Sequence, residues 1–272
     1  MQVYFSAYLI AFNSKKKAEW EQPLEYLFIG WGLLWSAAGG LKEIDRFVIN
    51  SIKDGVTLLY FAITAVFSVV MCRFLKWNLM RLTSLLLLPI MAAAAFLWLP
   101  AHPLAHGGWF AWPVAFASVW WILYENEDSL PSAFLPYLHA AIVWLLALLG
   151  SWELSWQVHM VAGDAGSWFE ISKVVAPLII LTIIIAGSRV VKWPVQRNIE
   201  AYLGLAAVPL AIWSLLWTVY SSFFCSGDSW PINWVPFFNQ FDVAMVLAIA
   251  VPAFWLRFLA NDFRFREFYE AV

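Results

Sequence analysis

The chain is 272 residues long, with 63% hydrophobic residues, 12% charged residues and a formal net charge of −2. A soluble domain carries roughly a quarter charged residues to cover its surface, so water is not the solvent for most of this protein. No Lys/Arg run is interleaved with aromatics, which removes the electrostatic footprint that a nucleic-acid partner requires.

In chain order, apolar stretches separated by charged or Pro/Gly-containing joints give candidate spans at 1–12, 24–41, 56–75, 82–99, 107–123, 135–151, 172–188, 201–223 and 243–259. The first, MQVYFSAYLIAF, is incomplete, offering about 12 residues where roughly 20 are needed to cross the hydrocarbon. It has neither a basic region before it nor a small-residue cleavage site after it, so it does not read as a secretory signal. The fourth, LTSLLLLPIMAAAAFLWL, carries no charge over a full bilayer thickness. Transmembrane strands would alternate apolar and polar residues in segments of about ten, and these continuous runs exclude them. The expectation is an all-α, polytopic transmembrane helix bundle of about eight or nine spans, forming one membrane domain over residues 1–272.

Alternation of the spans sorts the basic residues. If the joint with Lys15, Lys16 and Lys17 faces the cytoplasm, so do Arg73, Lys76, Arg81, Arg189, Lys192, Arg197, Arg257, Arg264 and Arg266, twelve of the 16 basic residues. Lys42, Arg46, Lys53 and Lys173 fall on the other side. Cytoplasmic joints gather Lys and Arg, while acidic residues count little. This predicts a cytoplasmic C-terminus and gives the acidic joint YENEDS no weight. Cys72 and Cys225 then lie near opposite faces, beyond the few ångströms between Cα atoms that a disulfide tolerates, so no bridge is expected.

The joints on the other side hold most of the polar chemistry. PAHPLAHGGWFAW supplies His102 and His106; SWELSWQVHMVAGDAGSWFE supplies Trp152, Glu153, Trp156, His159, Asp164 and Glu170; SSFFCSGDSWPINWVPFFNQFD supplies Asp228, Trp230, Trp234, Asn239 and Asp242. Asp242, Asn239, His102, His106, His159 and Asp164 form the candidate polar site, and Trp152, Trp156, Trp230 and Trp234 the candidate aromatic platform. One reading is an outward-facing pocket in which indole faces stack on sugar rings or apolar chains while His and carboxylates move protons. The plainer reading is an interfacial aromatic belt with wet polar loops, the usual place for Trp in a membrane. His102 and His106 would share a face only in a helix, and Pro103 with Gly107 and Gly108 argue for a loop. A metal would need a third ligand, such as His159 or Asp164, from a distant joint; no metal or other cofactor is assigned. Asp242 has two roles open to it. It is either a first-turn residue of the last span, capped by Asn239 and placed at the positive end of the helix dipole, or a carboxylate facing the outer cavity.

Within the spans, His139 reads as a packed residue hydrogen-bonded to a neighbouring helix, and the scarcity of charge near span midpoints counts against a coupled transporter. Pro89, Pro113, Pro209 and Pro252 can kink helices and free carbonyls. Ser36, Ala37, Gly39 and Gly40 permit close helix contact.

GWGLLWSAAGGLKEIDRF and VPFFNQFDVAMVLAIAVPAFWLRF resemble segments of the large bacterial predicted membrane proteins grouped as domain of unknown function 2339. In that family the second motif reads Asn-Pro-Leu-Asp-Leu after an aromatic- and proline-containing lead-in. Asn239 and Asp242 stand at the matching positions here, with Gln240 in place of the proline. Family members are usually far longer, so the resemblance implies a short or C-terminal version, located in the bacterial inner membrane. It implies no reaction, and the residues leave open whether the chain is an enzyme. The expected partners are the lipid bilayer and, beyond it, other membrane proteins or envelope glycans. The first expectation for function is handling or assembly of a lipid-linked sugar or surface polymer. The second is a non-enzymatic scaffold for partner helices, and the third a transporter. A Trp cluster converging on a cavity with His102, His159 and Asp242 would favour the first. A solid core with an apolar groove on the lipid face would favour the second, and a polar path across the midplane the third.

Overall fold

A backbone in hydrocarbon must satisfy its own hydrogen bonds, which a helix does within one segment. The computed structural model describes residues 8–9, 12, 22–97, 101–163, 166–225, 227, 235 and 239–261, and no strand occurs among them. The α-helices are α1 (Gln22–Phe47), α2 (Lys53–Leu75), α3 (Leu79–Ser84), α4 (Leu87–Leu97), α5 (Gly108–Asn126), α6 (Leu135–Ala162), α7 (Ser167–Val190), α8 (Ala207–Phe224) and α9 (Gln240–Asn261). Six helical stretches among the described residues are long and apolar enough to cross a membrane: Asn50–Leu75, Leu79–Leu97, Leu135–Ala162, Ser167–Val190, Glu200–Phe224 and Gln240–Asn261. The chain divides into two compact units, Met1–Asn126 and Glu127–Val272.

In the first unit, α2 is flanked along its whole length. Lys53 Nζ lies 2.8 Å from Asp45 Oδ1, Tyr60 Oη donates to the Ser36 carbonyl at 2.8 Å, and Trp77 Nε1 donates to Glu25 Oε1 at 2.8 Å. These contacts run α1 antiparallel to α2 from end to end. At the other flank the Gly55 N–H donates to the His106 carbonyl at 2.9 Å, and Arg73 pairs with Glu125, so α5 runs parallel to α2 over the same depth. Helices α1 and α5 therefore cross wherever α2 crosses. Apolar length alone omits them, because α5 carries Trp109, Trp112, Trp120, Trp121 and Pro113, and α1 ends in charged residues. With them the described residues hold eight candidate crossings, each overlapping one of the last eight spans expected above. The expected 1–12 segment lies almost wholly outside the described residues.

Span 82–99 is interrupted rather than continuous. Pro89 lacks the N–H that would bond the Leu85 carbonyl, and its ring crowds that carbonyl. The helix breaks at Leu85 and Leu86, and Ile90 N–H resumes the ladder on the Leu86 carbonyl at 3.1 Å.

The second unit is an up-down bundle of α6, α7, α8 and α9. His139 Nδ1 sits 3.2 Å from Tyr202 Oη, and Trp217 Nε1 donates to the Glu170 carbonyl at 2.8 Å. Trp255 Nε1 donates to the Leu203 carbonyl at 2.9 Å. The start of α6 thus lies beside the lead-in to α8, and the end of α9 beside the same lead-in. Arg189, Lys192, Arg197 and Arg257 gather at this end, hereafter the basic end, and Lys173 lies toward the other. One expectation needs correction. SWELSWQVHMVAGDAGSWFE is not a loop joint, because α6 runs on to Ala162 and α7 begins at Ser167. At 28 residues α6 is about 42 Å long, more than the roughly 30 Å hydrocarbon, and nothing breaks it before Gly163.

Candidate functional site

The second unit carries a lateral cleft of about 720 Å³ among α6, α7 and α8, within the range of roughly 300–1,000 Å³ typical of small-molecule sites. Its origin is local. On α6, Ser151 and Ser155 sit one turn apart beside Trp152, and these small side chains leave space. On α8, Trp213, Trp217 and Tyr220 follow one helical stripe with Pro209, Ile212 and Leu216, and overhang that space. Leu148, Ile212, Leu216 and Tyr220 are exposed on the flank of the unit, so the cleft opens sideways.

Charge enters from the first turns of α7. Lys173 Nζ lies 2.7 Å from Glu170 Oε1 and 4.4 Å above the Phe169 ring. The second carboxylate oxygen, Glu170 Oε2, and the Ser151 hydroxyl are both buried without a hydrogen-bond partner. Behind them the Ser155 and Ser172 hydroxyls stand 3.0 Å apart. A buried carboxylate oxygen without a donor costs free energy that a hydroxyl from a ligand would recover. Apolar walls, indole faces and a Lys/Glu pair in one lateral opening suit an amphiphile with a chain and a polar head.

Of the residues named from the sequence, Trp152 and Glu170 line this cleft. Trp156 is half-buried one turn further along α6. His159 is exposed in the last turn, its ring 6.2 Å from that of Phe169. Asn239 and Asp242 cap α9: Asn239 Oδ1 accepts from the Asp242 N–H at 2.8 Å, and Asn239 Nδ2 donates to Asp242 Oδ2 at 2.6 Å. His102 and His106 lie in the turn that precedes α5 and not on a helix. His106 takes a φ of +47°, and its Nδ1 lies 2.9 Å from Asp54 Oδ2. Asp164, Asp228, Trp230 and Trp234 lie outside the described residues. Lys173, Ser151, Ser155, Trp213, Trp217 and Tyr220 were missed as cleft residues. The available signal was a pair of serines at i, i+4 flanking Trp152 on α6, together with an aromatic stripe at i, i+4, i+7 on α8.

A second polar constellation sits at the basic end. Glu127 is buried, and its carboxylate accepts from Trp193 Nε1 at 2.8 Å and Asn198 Nδ2 at 2.6 Å, with Arg197 Nε at 3.4 Å. Arg197 also pairs with Asp128. Glu127 and Asp128 thus latch the connection between α7 and α8. His139 is fully buried with its ring against Tyr202 and Trp193, and its Nε2 has no hydrogen-bond partner.

No curated protein and no solved structure matches the chain. A family model described as Predicted membrane protein (DUF2339) matches residues 6–270. Its long apolar helices agree with that description, and the chain belongs to this family of membrane proteins.

Proposed function

We propose that this is a multi-pass protein of the bacterial inner membrane, with its C-terminus cytoplasmic, that holds a lipid-linked sugar or surface-polymer intermediate in the cleft among α6, α7 and α8. The observation that carries the reading is the meeting, in one lateral opening, of apolar and aromatic walls with Lys173 and the partnerless Glu170 Oε2. The walls accept a lipid chain, and the Lys173 ammonium is the point charge that suits a phosphate. Glu170 Oε2 accepts a sugar hydroxyl, while Trp152 and Trp213 offer stacking faces. With the basic end in the cytoplasm, the cleft opens toward the outer leaflet.

A photoreactive benzophenone side chain at Leu216, exposed on the cleft wall, tests this in cells. Mass spectrometry of the irradiated protein is expected to show an adduct with a lipid phosphate carrying sugar, with lower yield in Glu170→Gln and Lys173→Gln. Adducts with bulk phospholipid alone would overturn the reading. The lateral, largely apolar opening also favours a second reading, a scaffold that receives a partner span, and a polypeptide adduct at Leu216 would establish it.

A further inference from the structure

A separate groove, of about 430 Å³, lies between α7 and α9 on another face of the second unit. Thr182, Ile185 and Ala186 of α7 and Ala250, Val251 and Phe254 of α9 form its walls, and Arg189 stands at one end. Thr182, Ala186 and Arg189 follow one helical stripe at i, i+4, i+7. Ala250, Phe254 and Arg257 repeat that spacing on α9. The two helices run parallel. At their N-terminal ends Gln240 Nε2 donates to Ser167 Oγ at 3.1 Å, and toward their C-terminal ends the Arg189 guanidinium lies 5.1 Å over the Phe258 ring. Both stripes therefore end in an arginine at the same level. Arg189 and Arg257 are exposed, and neither makes an ion pair among the described residues.

We propose that this groove binds an anionic phospholipid, with one acyl chain between α7 and α9 and the phosphate held by Arg189 and Arg257. Guanidinium forks match phosphate oxygens in geometry as well as charge. Basic pockets between spans recognise anionic headgroups by the same chemistry. The arginines also decide against an uncharged partner helix as occupant. Such a helix would cover two cations at the membrane boundary and supply no counter-charge. The groove shares no lining residue with the cleft assigned above, so this inference does not depend on that reading.

The test uses the purified full chain in phosphatidylcholine nanodiscs containing a trace of spin-labelled phosphatidylglycerol or spin-labelled phosphatidylcholine, with the motionally restricted fraction read by electron paramagnetic resonance. Wild type is expected to retain phosphatidylglycerol on the order of thirtyfold more strongly, as two basic groups near the membrane surface imply. Arg189→Gln/Arg257→Gln should abolish the preference, and Arg189→Lys/Arg257→Lys, which keeps both charges, should retain most of it. Ala250→Phe should fill the groove and lower the restricted fraction. Equal retention of the two lipids by wild type overturns the proposal. So does a preference that survives in the double Gln variant, or one that is lost in the double Lys variant.

Discussion

Trp77, Trp144, Trp193, Trp217 and Trp255 each send their indole N–H to an oxygen on another element. The acceptors are the Glu25 side chain, the Ala206 carbonyl, the Glu127 carboxylate, and the Glu170 and Leu203 carbonyls. A buried indole usually finds an acceptor, and in hydrocarbon only protein supplies one; Trp120 and Trp168 bury theirs without one among the described residues. Trp31, Trp35 and Trp109 are exposed instead, Trp109 at the start of α5, where a belt residue sits, and Trp31 and Trp35 midway along α1. No pattern in the sequence separates the two groups, because the acceptor in each case belongs to a different helix. The cap on α9 is the opposite case, legible from Asn239 and Asp242 three residues apart. There Asn239→Ala is expected to cost about 1 kcal/mol, and Asp242→Asn less, since much of the capping geometry is kept. Thermal unfolding of the purified variants checks both. A null phenotype for Asp242→Asn at normal abundance and melting temperature would assign the carboxylate to an outer-face site instead.

Between elements, close approach is set by a few small residues. A Cβ at Gly55 would run into the Gly107 backbone, and one at Gly40 into the Tyr60 ring, whereas one at Gly39 would meet nothing within 4 Å. The GLLWSAAGG stretch announces a packing face, yet only the facing helix tells which glycine makes the contact. Gly55→Val is expected to destabilise the protein by about 1–3 kcal/mol, because rigid backbone must move. Gly39→Ala should be neutral or stabilise by up to about 1 kcal/mol. Melting temperatures in one detergent give the comparison, and equal losses for the two would refute the contact at Gly55. The prolines behave in an equally local way. Pro89 interrupts its span, while before Pro209 the stretch Glu200–Ala206 is wound in wide π turns. Two carbonyls of that stretch, Leu203 and Ala206, accept indoles from α9 and α6. The oxygens there bind helix to helix, and the cleft lies elsewhere.

At the scale of the molecule, register within each unit segregates charge as alternation of spans requires. Arg73, Lys76 and Arg81 lie at one end of the first unit, with Lys42, Arg46 and Lys53 at the other. Arg189, Lys192, Arg197 and Arg257 lie at the basic end of the second. A C-terminal fluorescent-protein fusion is therefore expected to be bright and the matching alkaline-phosphatase fusion inactive. The reverse pair would invert the topology and move the cleft to the cytoplasmic leaflet. Composition and run length by themselves determined that the chain is helical and membrane-embedded, because the hydrocarbon acts on each segment separately; where a helix ends they did not, since α6 runs eleven residues past the expected 151 to Ala162. Which side chains meet was decided only by tertiary structure. Glu170 and Lys173 face Ser151, Trp213 and Trp217 across three helices, and Glu127 finds its donors about seventy residues away at Trp193 and Asn198. Such pairings depend on the rotation and depth of each helix against its neighbours. Those are set by packing and interhelical hydrogen bonds, which no single segment encodes.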